Sequence, residues 1–269
     1  AELPNDIWQS DVMHGPKVMV DGRRRKAYLI AFIDDHSRLI PHAAFYLSEN
    51  LAAFLEALQQ ALEKRGLPRK LYVDNGSAYR SRHLEHICAS LAIALIHAKA
   101  YQPQGKGKVE RFFRTVRSQF LPPLAADQSL SALNSAWVSW IDAYHQRRHS
   151  ATGASPFARF TEHMHCLRPA PENLYEHFRI VARRTVAKDR TVTLEGHLFE
   201  APVALIGKRI DLLYHPECLK RVEAQHNNES YGLLRAVDTA VNCRVKRDRR
   251  SNLQIAQSAP SLPKGGKIW

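Results

Sequence analysis

The chain has 269 residues, of which 45% are hydrophobic and 24% are charged. This is the composition of one large or two average globular domains, and it argues against wholesale disorder. No run of about 18 apolar residues predicts a membrane span, and the first residues carry no secretory signal. The 39 Lys and Arg residues exceed the 26 Asp and Glu residues, which gives a net charge of +13. Such an excess indicates a polyanionic partner, most often nucleic acid.

The first part of the sequence alternates strand-like and helix-like segments. Asp21-Gly22 is a hairpin turn signal, and Gly66 with Pro68 ends a helix. In chain order the predicted elements are strands at 6–14, 27–33 and 40–46, a helix at 51–65, a strand at 70–73, a helix at 83–91, a strand at 92–97, and helices at 109–120 and 130–145. Three antiparallel strands followed by alternating helices and strands predict an α/β fold, a ribonuclease-H-like mixed sheet flanked by helices.

The pattern of predicted elements changes after the proline-rich segment 168–172. Short β-branched segments, separated by turn signals, predict a small all-β barrel. They lie at residues 181–186, 191–194, 197–200, 209–214 and 219–224. The predicted domains are therefore a ribonuclease-H-like core with appended helices (1–166), a linker (167–180), a β-barrel (181–247) and a basic, disordered tail (248–269).

Three acidic residues stand out by their context in the predicted core. Asp11 lies within the first strand, Asp74 ends the strand at 70–73, and Glu110 opens a helix after a loop rich in Gly and Lys. Asp74 and Glu110 have 35 residues between them. Open α/β sheets place ligands at the ends of their strands, and three converging carboxylates suit Mg²⁺ or Mn²⁺. Two such ions can clamp the oxygens of a phosphoryl displacement.

Two of these acids also have a structural explanation. Asp74 is well placed to cap the turn that it forms with Asn75-Gly76, and Glu110 suits the dipole of a first helical turn. Asp11 has no comparable explanation, because a buried strand position disfavours an unpaired carboxylate. The adjacent Asp34 and Asp35 point to opposite faces of a strand and are assigned a structural role in the turn that follows.

Five segments of the chain, in this order, resemble landmarks of DDE transposases and retroviral-type integrases. They are WQSD (8–11), IDDHSR (33–38), LYVDNGSAY (71–79), YQPQGKGKVERFFRTVR (101–117) and YHQRRHSATGASP (144–156), and the resemblance spans residues 6–160. The spacing of the Asp of DNGSAY and the Glu of GKGKVERFF makes the likeness specific. Two later segments, at residues 184–202 and 206–217, resemble the β-barrel that follows the core in Mu-type transposases.

This resemblance assigns Asp11, Asp74 and Glu110 as the catalytic and metal-binding residues, holding two Mg²⁺ ions for which Mn²⁺ can substitute. It implies cleavage of DNA at transposon ends and strand transfer of the 3′-hydroxyl into target DNA. It also implies homo-oligomers assembled on DNA, a target-selecting ATPase as a further partner, and a cytoplasmic, nucleoid-associated location in a bacterium. An end-binding module is expected to precede the core and to have been removed here.

DNA contacts are predicted beside the acidic residues. Helical spacing puts Glu110, Arg114 and Arg117 on one face, away from an apolar face. The apolar face consists of Val109, Phe113, Val116 and Phe120. The residues predicted to contact DNA are Lys106, Lys108, Arg114, Arg117 and Asn75. Two alternatives to a transposase stay open, a ribonuclease-H-like nuclease without strand transfer and a non-catalytic DNA-binding relative.

Overall fold

The computed structural model describes residues 1–98 and 107–237. The chain divides into two compact units, one ending at Phe178 and one beginning at Arg179. The strands of the first unit are β1 (Ile7–Val20), β2 (Arg23–Asp34), β3 (Ala43–Tyr46), β4 (Lys70–Val73) and β5 (Ala94–His97). Its helices are α1 (Leu51–Arg65), α2 (Arg82–Ser90), α3 (Gly107–Thr115), α4 (Leu130–Gln146) and α5 (Pro156–Thr161). No described helix is long and apolar enough to cross a bilayer.

The five strands of the first unit form one mixed sheet in the order β3-β2-β1-β4-β5. The first three strands are antiparallel, whereas β4 pairs parallel to β1 and β5 pairs parallel to β4. Asp21 and Gly22, with φ of 48° and 72°, close the β1–β2 hairpin in the left-handed conformation that a tight turn requires. The predicted ribonuclease-H-like sheet is confirmed.

Helices cover both faces of this sheet. On one face, α1 and α2 pack with Trp8 and Phe32 in one buried cluster. On the other, α3 and α4 pack with Met13 and Ile33 in a second cluster. Successive strand residues point to opposite faces, so β1 and β2 contribute buried side chains to both clusters. Residues 27–34 of β2 read as a nearly continuous apolar run because both faces of this strand are covered.

The predicted helix at 109–120 is α-helical only over Gly107–Thr115 and continues as one π-helical turn, Val116–Phe120. The four residues assigned to its apolar face are all buried, as predicted. The predicted linker packs against the first unit. The Arg168 guanidinium donates to the carbonyls of Leu91 and Ala92, and Leu174 and Phe178 are buried in the α1 and α2 cluster.

The second unit contains two antiparallel sheets around one apolar core. Its strands are β6 (Ile180–Thr185), β7 (Thr191–Leu194), β8 (His197–Glu200), β9 (Arg209–His215), β10 (Cys218–His226), β11 (Glu229–Leu233) and β12 (Arg235–Ala236). The sheet orders are β11-β10-β9-β6 and β12-β8-β7. The all-β character is therefore as predicted. The sequence analysis missed β11 and β12, whose residues are mostly exposed and lack the apolar alternation of a half-buried strand. The tail predicted at 248–269 lies outside the described residues.

Candidate active site

Asp11 lies on β1, and Asp74 directly follows the adjacent parallel strand β4. The β1–β4 register pairs Trp8 with Leu71 and Gln9 with Tyr72. Two further steps along both strands bring Asp11 beside Asp74, immediately after β4 ends. Because side chains alternate along a strand, the Asp11 side chain lies on the same face of β1 as Gln9, whereas Asp74 lies just past the end of its strand. Both aspartates are half-buried.

The phenol of Tyr79 is close to both aspartates. Burial raises the pKa of Tyr79, and the negative charges of Asp74 and Asp11 raise it further. The Asp74 carboxylate also accepts a hydrogen bond from the Gly76 N–H at 2.7 Å. Asp74 therefore caps its turn, as the structural explanation predicts, and it also lies near Asp11. The hydrogen bond from Gly76 restrains the carboxylate at the end of β4.

Glu110 lies in the first turn of α3 and is exposed. Val109, Phe112 and Phe113 bury the opposite side of this helix against the sheet. Within residues 1–98 and 107–237, no three His, Cys, Asp or Glu side chains are gathered closely enough to hold a metal ion. The structure therefore brings Asp11 and Asp74 together but does not gather Glu110 with them into a metal cluster.

Two family models, each described as "Integrase core domain", match residues 1–103 and residues 91–156. Residues 1–156 belong to the integrase core family. The chain is 26% identical over 260 residues to the transposase for transposon Tn552 of Staphylococcus aureus, a match that covers 85% of this chain and 53% of that protein. It is 33% identical over 118 residues to the Gag-Pro-Pol polyprotein of Sheep pulmonary adenomatosis virus, covering 44% of this chain and 6% of the polyprotein.

Among solved structures, the HTLV-2 integrase catalytic core domain in complex with magnesium matches 59% of this chain and 97% of that chain. The sequence identity is 24% and the TM-score is 0.46. The chain spans only about half of the Tn552 transposase and a small part of the viral polyprotein. The family assignment accordingly rests on residues 1–156.

A buried polar network ties the α3 helix of the integrase core to β1 and to the end of β2. Asp35 accepts a hydrogen bond from the Gln9 amide at 2.8 Å, and it pairs with Lys108 at 2.5 Å. The side-chain oxygen of Gln9 accepts a hydrogen bond from the Val109 N–H at 3.4 Å. Burial of Asp35 opposes its ionisation, but hydrogen bonds from Lys108 and the chain's amino terminus outweigh it and lower its pKa. The network fixes the turn of the helix that carries Glu110.

Asp34 has the structural role that the sequence analysis assigned to it. Its fully buried carboxylate accepts hydrogen bonds from the Asn5 N–H at 2.8 Å and from the Ser37 N–H and hydroxyl at 2.7 and 2.6 Å. These contacts close the turn after β2, and burial raises the pKa of the group. Asp35 is also structural, but its partner Lys108 joins it to α3 rather than to its own turn.

The residues predicted to contact DNA fall into three groups. Arg114 and Arg117 are exposed on the same flank of the helix as Glu110. Lys108 and Asn75 have protein partners, since Lys108 pairs with Asp35 and the Asn75 amide donates to the Ala98 carbonyl. The remaining predicted contact, Lys106, lies outside the described residues.

Sequence reasoning missed Gln9, which is 5% exposed and holds both Asp35 and the backbone of Val109. A signal was available in the strand pattern. Gln9 lies two residues before Asp11 and therefore on the same face of β1, where a polar side chain between buried neighbours needs a partner.

Proposed function

We propose that this integrase core catalyses metal-dependent phosphoryl transfer on DNA. Water attacks a phosphodiester at the end of a mobile element and releases a 3′-hydroxyl. That hydroxyl then attacks a target phosphodiester, which forms a new phosphodiester bond and releases a target 3′-hydroxyl. No covalent bond between protein and DNA forms. The observation that supports the proposal is the proximity of Asp11 on β1 to Asp74 at the end of the adjacent parallel strand β4.

The acidic residues fit two Mg²⁺ ions, with Mn²⁺ as a substitute. Asp11, Asp74 and Glu110 offer only carboxylate oxygens, the ligands that these hard cations prefer. Asp11, on the central strand, and Asp74 would be among the residues that hold these ions. When bound, the ions would clamp the attacking and leaving oxygens of an in-line displacement.

Glu110 joins the two aspartates when the cations and DNA are bound. Glu110 is exposed, and bringing it beside two other carboxylates would require the counter-charge that bound cations supply. The anchored turn of α3 limits how far the helix must move, because Lys108 and Val109 already hold it against β1 and β2.

DNA would bind along the flank of α3 that carries Glu110. Arg114 and Arg117 lie one and two turns after Glu110 and can pair with the phosphates beside the scissile bond. Lys106 would extend this surface, and the basic charge of the whole chain favours binding without sequence preference. Homo-oligomers on paired DNA ends, a target-selecting ATPase and a place at the bacterial nucleoid complete the proposal.

A non-catalytic DNA-binding role is the second candidate, because the described residues hold no assembled three-ligand metal site. Plasmid nicking and oligonucleotide joining in Mn²⁺, with wild type, Asp74→Asn and the exposed control Asp127→Asn, separate the alternatives. We expect Asp74→Asn to lower both activities about a hundredfold or more, and Asp127→Asn to leave them unchanged. Nicking without joining would favour a nuclease, and equal activity of wild type and Asp74→Asn would overturn the proposal.

A further inference from the structure

A cavity of about 540 Å³ lies on the α3 face of the sheet, beside the acidic residues but without including them. Ile7, Ile33 and Tyr72 of the sheet line it, and the segment from His149 to Ala151 after α4 lines it as well. From α3 it receives Lys108 and Arg111, which lie on a flank of the helix different from that of Glu110. At about 100° per residue, Lys108 and Glu110 are roughly 160° apart around the helix.

Cationic side chains enter this cavity from separate elements. Arg38 comes from the turn after β2, and Lys108 and Arg111 come from α3. Among the described lining residues, Asp35 is the one acidic side chain, and Lys108 pairs with it at 2.5 Å. The negative charges of Asp35 and Asp34 act on Arg38, but the described lining still has three basic side chains, Arg38, Lys108 and Arg111, against the single carboxylate of Asp35.

Arg38 is the most informative of these residues. It is half-buried, and the hydrogen bond recorded for its guanidinium is a long one, 3.5 Å, to the carbonyl of His36. Burial lowers the pKa of Arg38. The backbone of Arg38 is held with φ of 68°, and the Tyr144 hydroxyl donates to its carbonyl at 3.3 Å. Withdrawing the Arg38 guanidinium from water costs free energy that the charges of Asp35 and Asp34 offset only in part, and a bound anion would offset more of it.

The positive potential of the cavity acts on His149 as well. Burial lowers the pKa of His149, and the charges of Arg38 and Arg111 lower it further. Arg38 and Arg111, which come from different elements, are therefore both close enough to act on one imidazole. Since Arg38, Arg111 and His149 line one cavity, an anion bound there would lie among guanidinium groups from two elements.

We propose that this cavity binds a phosphate group, with Arg38 and Arg111 as its principal ligands. Guanidinium groups approaching from two elements suit an oxyanion that accepts hydrogen bonds in several directions. The phosphate is either one of a DNA backbone or that of a free phosphate compound. The proposal does not require catalysis by Asp11, Asp74 and Glu110, since the cavity uses another flank of α3.

Titration calorimetry with pyrophosphate in EDTA, without divalent metal, tests the site. Arg38→Gln and Arg111→Ala should each weaken binding about tenfold, the loss expected for one charge-assisted contact. Arg24→Ala is the control, because Arg24 is an exposed arginine of β2 outside the cavity lining, and it should bind like wild type. Circular dichroism melts confirm that each variant is folded. Equal binding by all four proteins, or no binding by wild type, would overturn the proposal.

A second arm identifies the source of the phosphate. A labelled DNA duplex is titrated in EDTA with and without pyrophosphate, and binding is followed by fluorescence anisotropy. Competition that Arg111→Ala abolishes supports a DNA backbone phosphate in the cavity. Pyrophosphate binding that depends on Arg111 but leaves DNA affinity unchanged supports a free phosphate compound. Both arms measure binding and not a reaction. They therefore test the phosphate site even if the proposed catalysis is wrong.

Discussion

At the scale of single residues, the backbone of Gly76 approaches the Asp74 carboxylate closely and holds it by a hydrogen bond. Gly76 donates to it at 2.7 Å, and a Cβ on Gly76 would lie 2.9 Å from the Asp74 carboxylate oxygen and 3.3 Å from the Tyr79 ring. The glycine is needed for space and not for backbone conformation, because its φ of −57° is open to any residue. The sequence DNG therefore both forms the turn and positions the Asp74 carboxylate.

Gly76→Ala should displace the Asp74 carboxylate and weaken Mn²⁺ binding about tenfold, with little change in melting temperature. Gly107→Ala is the control, since a Cβ at Gly107 would meet nothing within 4 Å. Mn²⁺ affinity, measured by calorimetry, checks the prediction. Unchanged affinity in Gly76→Ala would show that the position of this carboxylate does not matter for metal binding.

A second prediction at this scale concerns the buried His145. Its ring accepts a hydrogen bond from the Ile40 N–H at 3.1 Å, and burial lowers its pKa to about 4. The unfolded chain, with a histidine pKa near 6.5, therefore binds the proton first. The contribution to stability is present above pH 6.5 and is lost as the pH falls toward 4.

His145→Gln keeps an acceptor for Ile40 and removes the titration. Its free energy of unfolding should fall less than that of wild type between pH 6.5 and 4, by up to about 3 kcal/mol. Urea unfolding at several pH values measures this difference. Parallel pH profiles of the two proteins would contradict the assignment.

At the scale of elements, an ion pair between the buried Asp35 and the partly exposed Lys108 contributes to the anchoring of α3. Asp35 and Lys108 are 2.5 Å apart, as are Asp127 and Arg24, but the Asp35 side chain is 7% exposed and the Asp127 side chain 44%. Breaking a buried pair leaves an unpaired charge out of water, whereas an exposed pair contributes little.

Asp35→Asn should cost about 2–4 kcal/mol of stability and speed hydrogen exchange in residues 107–111. Asp127→Asn should cost less than about 1 kcal/mol and leave exchange in α3 unchanged. Chemical denaturation and amide exchange measure both effects. Similar losses in the two variants would contradict the anchoring role of Asp35.

Sequence patterns predicted most of these elements because local physics determines them. Helix α1 has its apolar face, its cap at Asn50 and its stop at Gly66 within one stretch of chain. The network of Gln9, Asp35 and Lys108 could not be predicted in this way, since its members are 26 and 73 residues apart and meet only through the sheet. For the same reason, the sequence of the predicted linker did not show that Leu174 is buried in the cluster of α1 and α2.

At the scale of the whole molecule, the net charge of +13 predicted the class of partner but not the position of the cations. The structure places exposed arginines on the Glu110 flank of α3 and a second set of cations around the cavity at Arg38. The proximity of Asp11 to Asp74 could be predicted from the strand order and the resemblance. The exposed position of Glu110 could not, because it depends on how α3 packs in the folded chain.

The central claim is that Asp11, Asp74 and Glu110 together bind divalent cations. Anomalous scattering from crystals of the chain grown with DNA and Mn²⁺ tests it most directly. We expect peaks with carboxylate oxygens of all three residues at about 2.2 Å, and no such peaks in Asp74→Asn crystals. Mn²⁺ bound elsewhere, or bound by the aspartates while Glu110 stays in solvent, would contradict the claim.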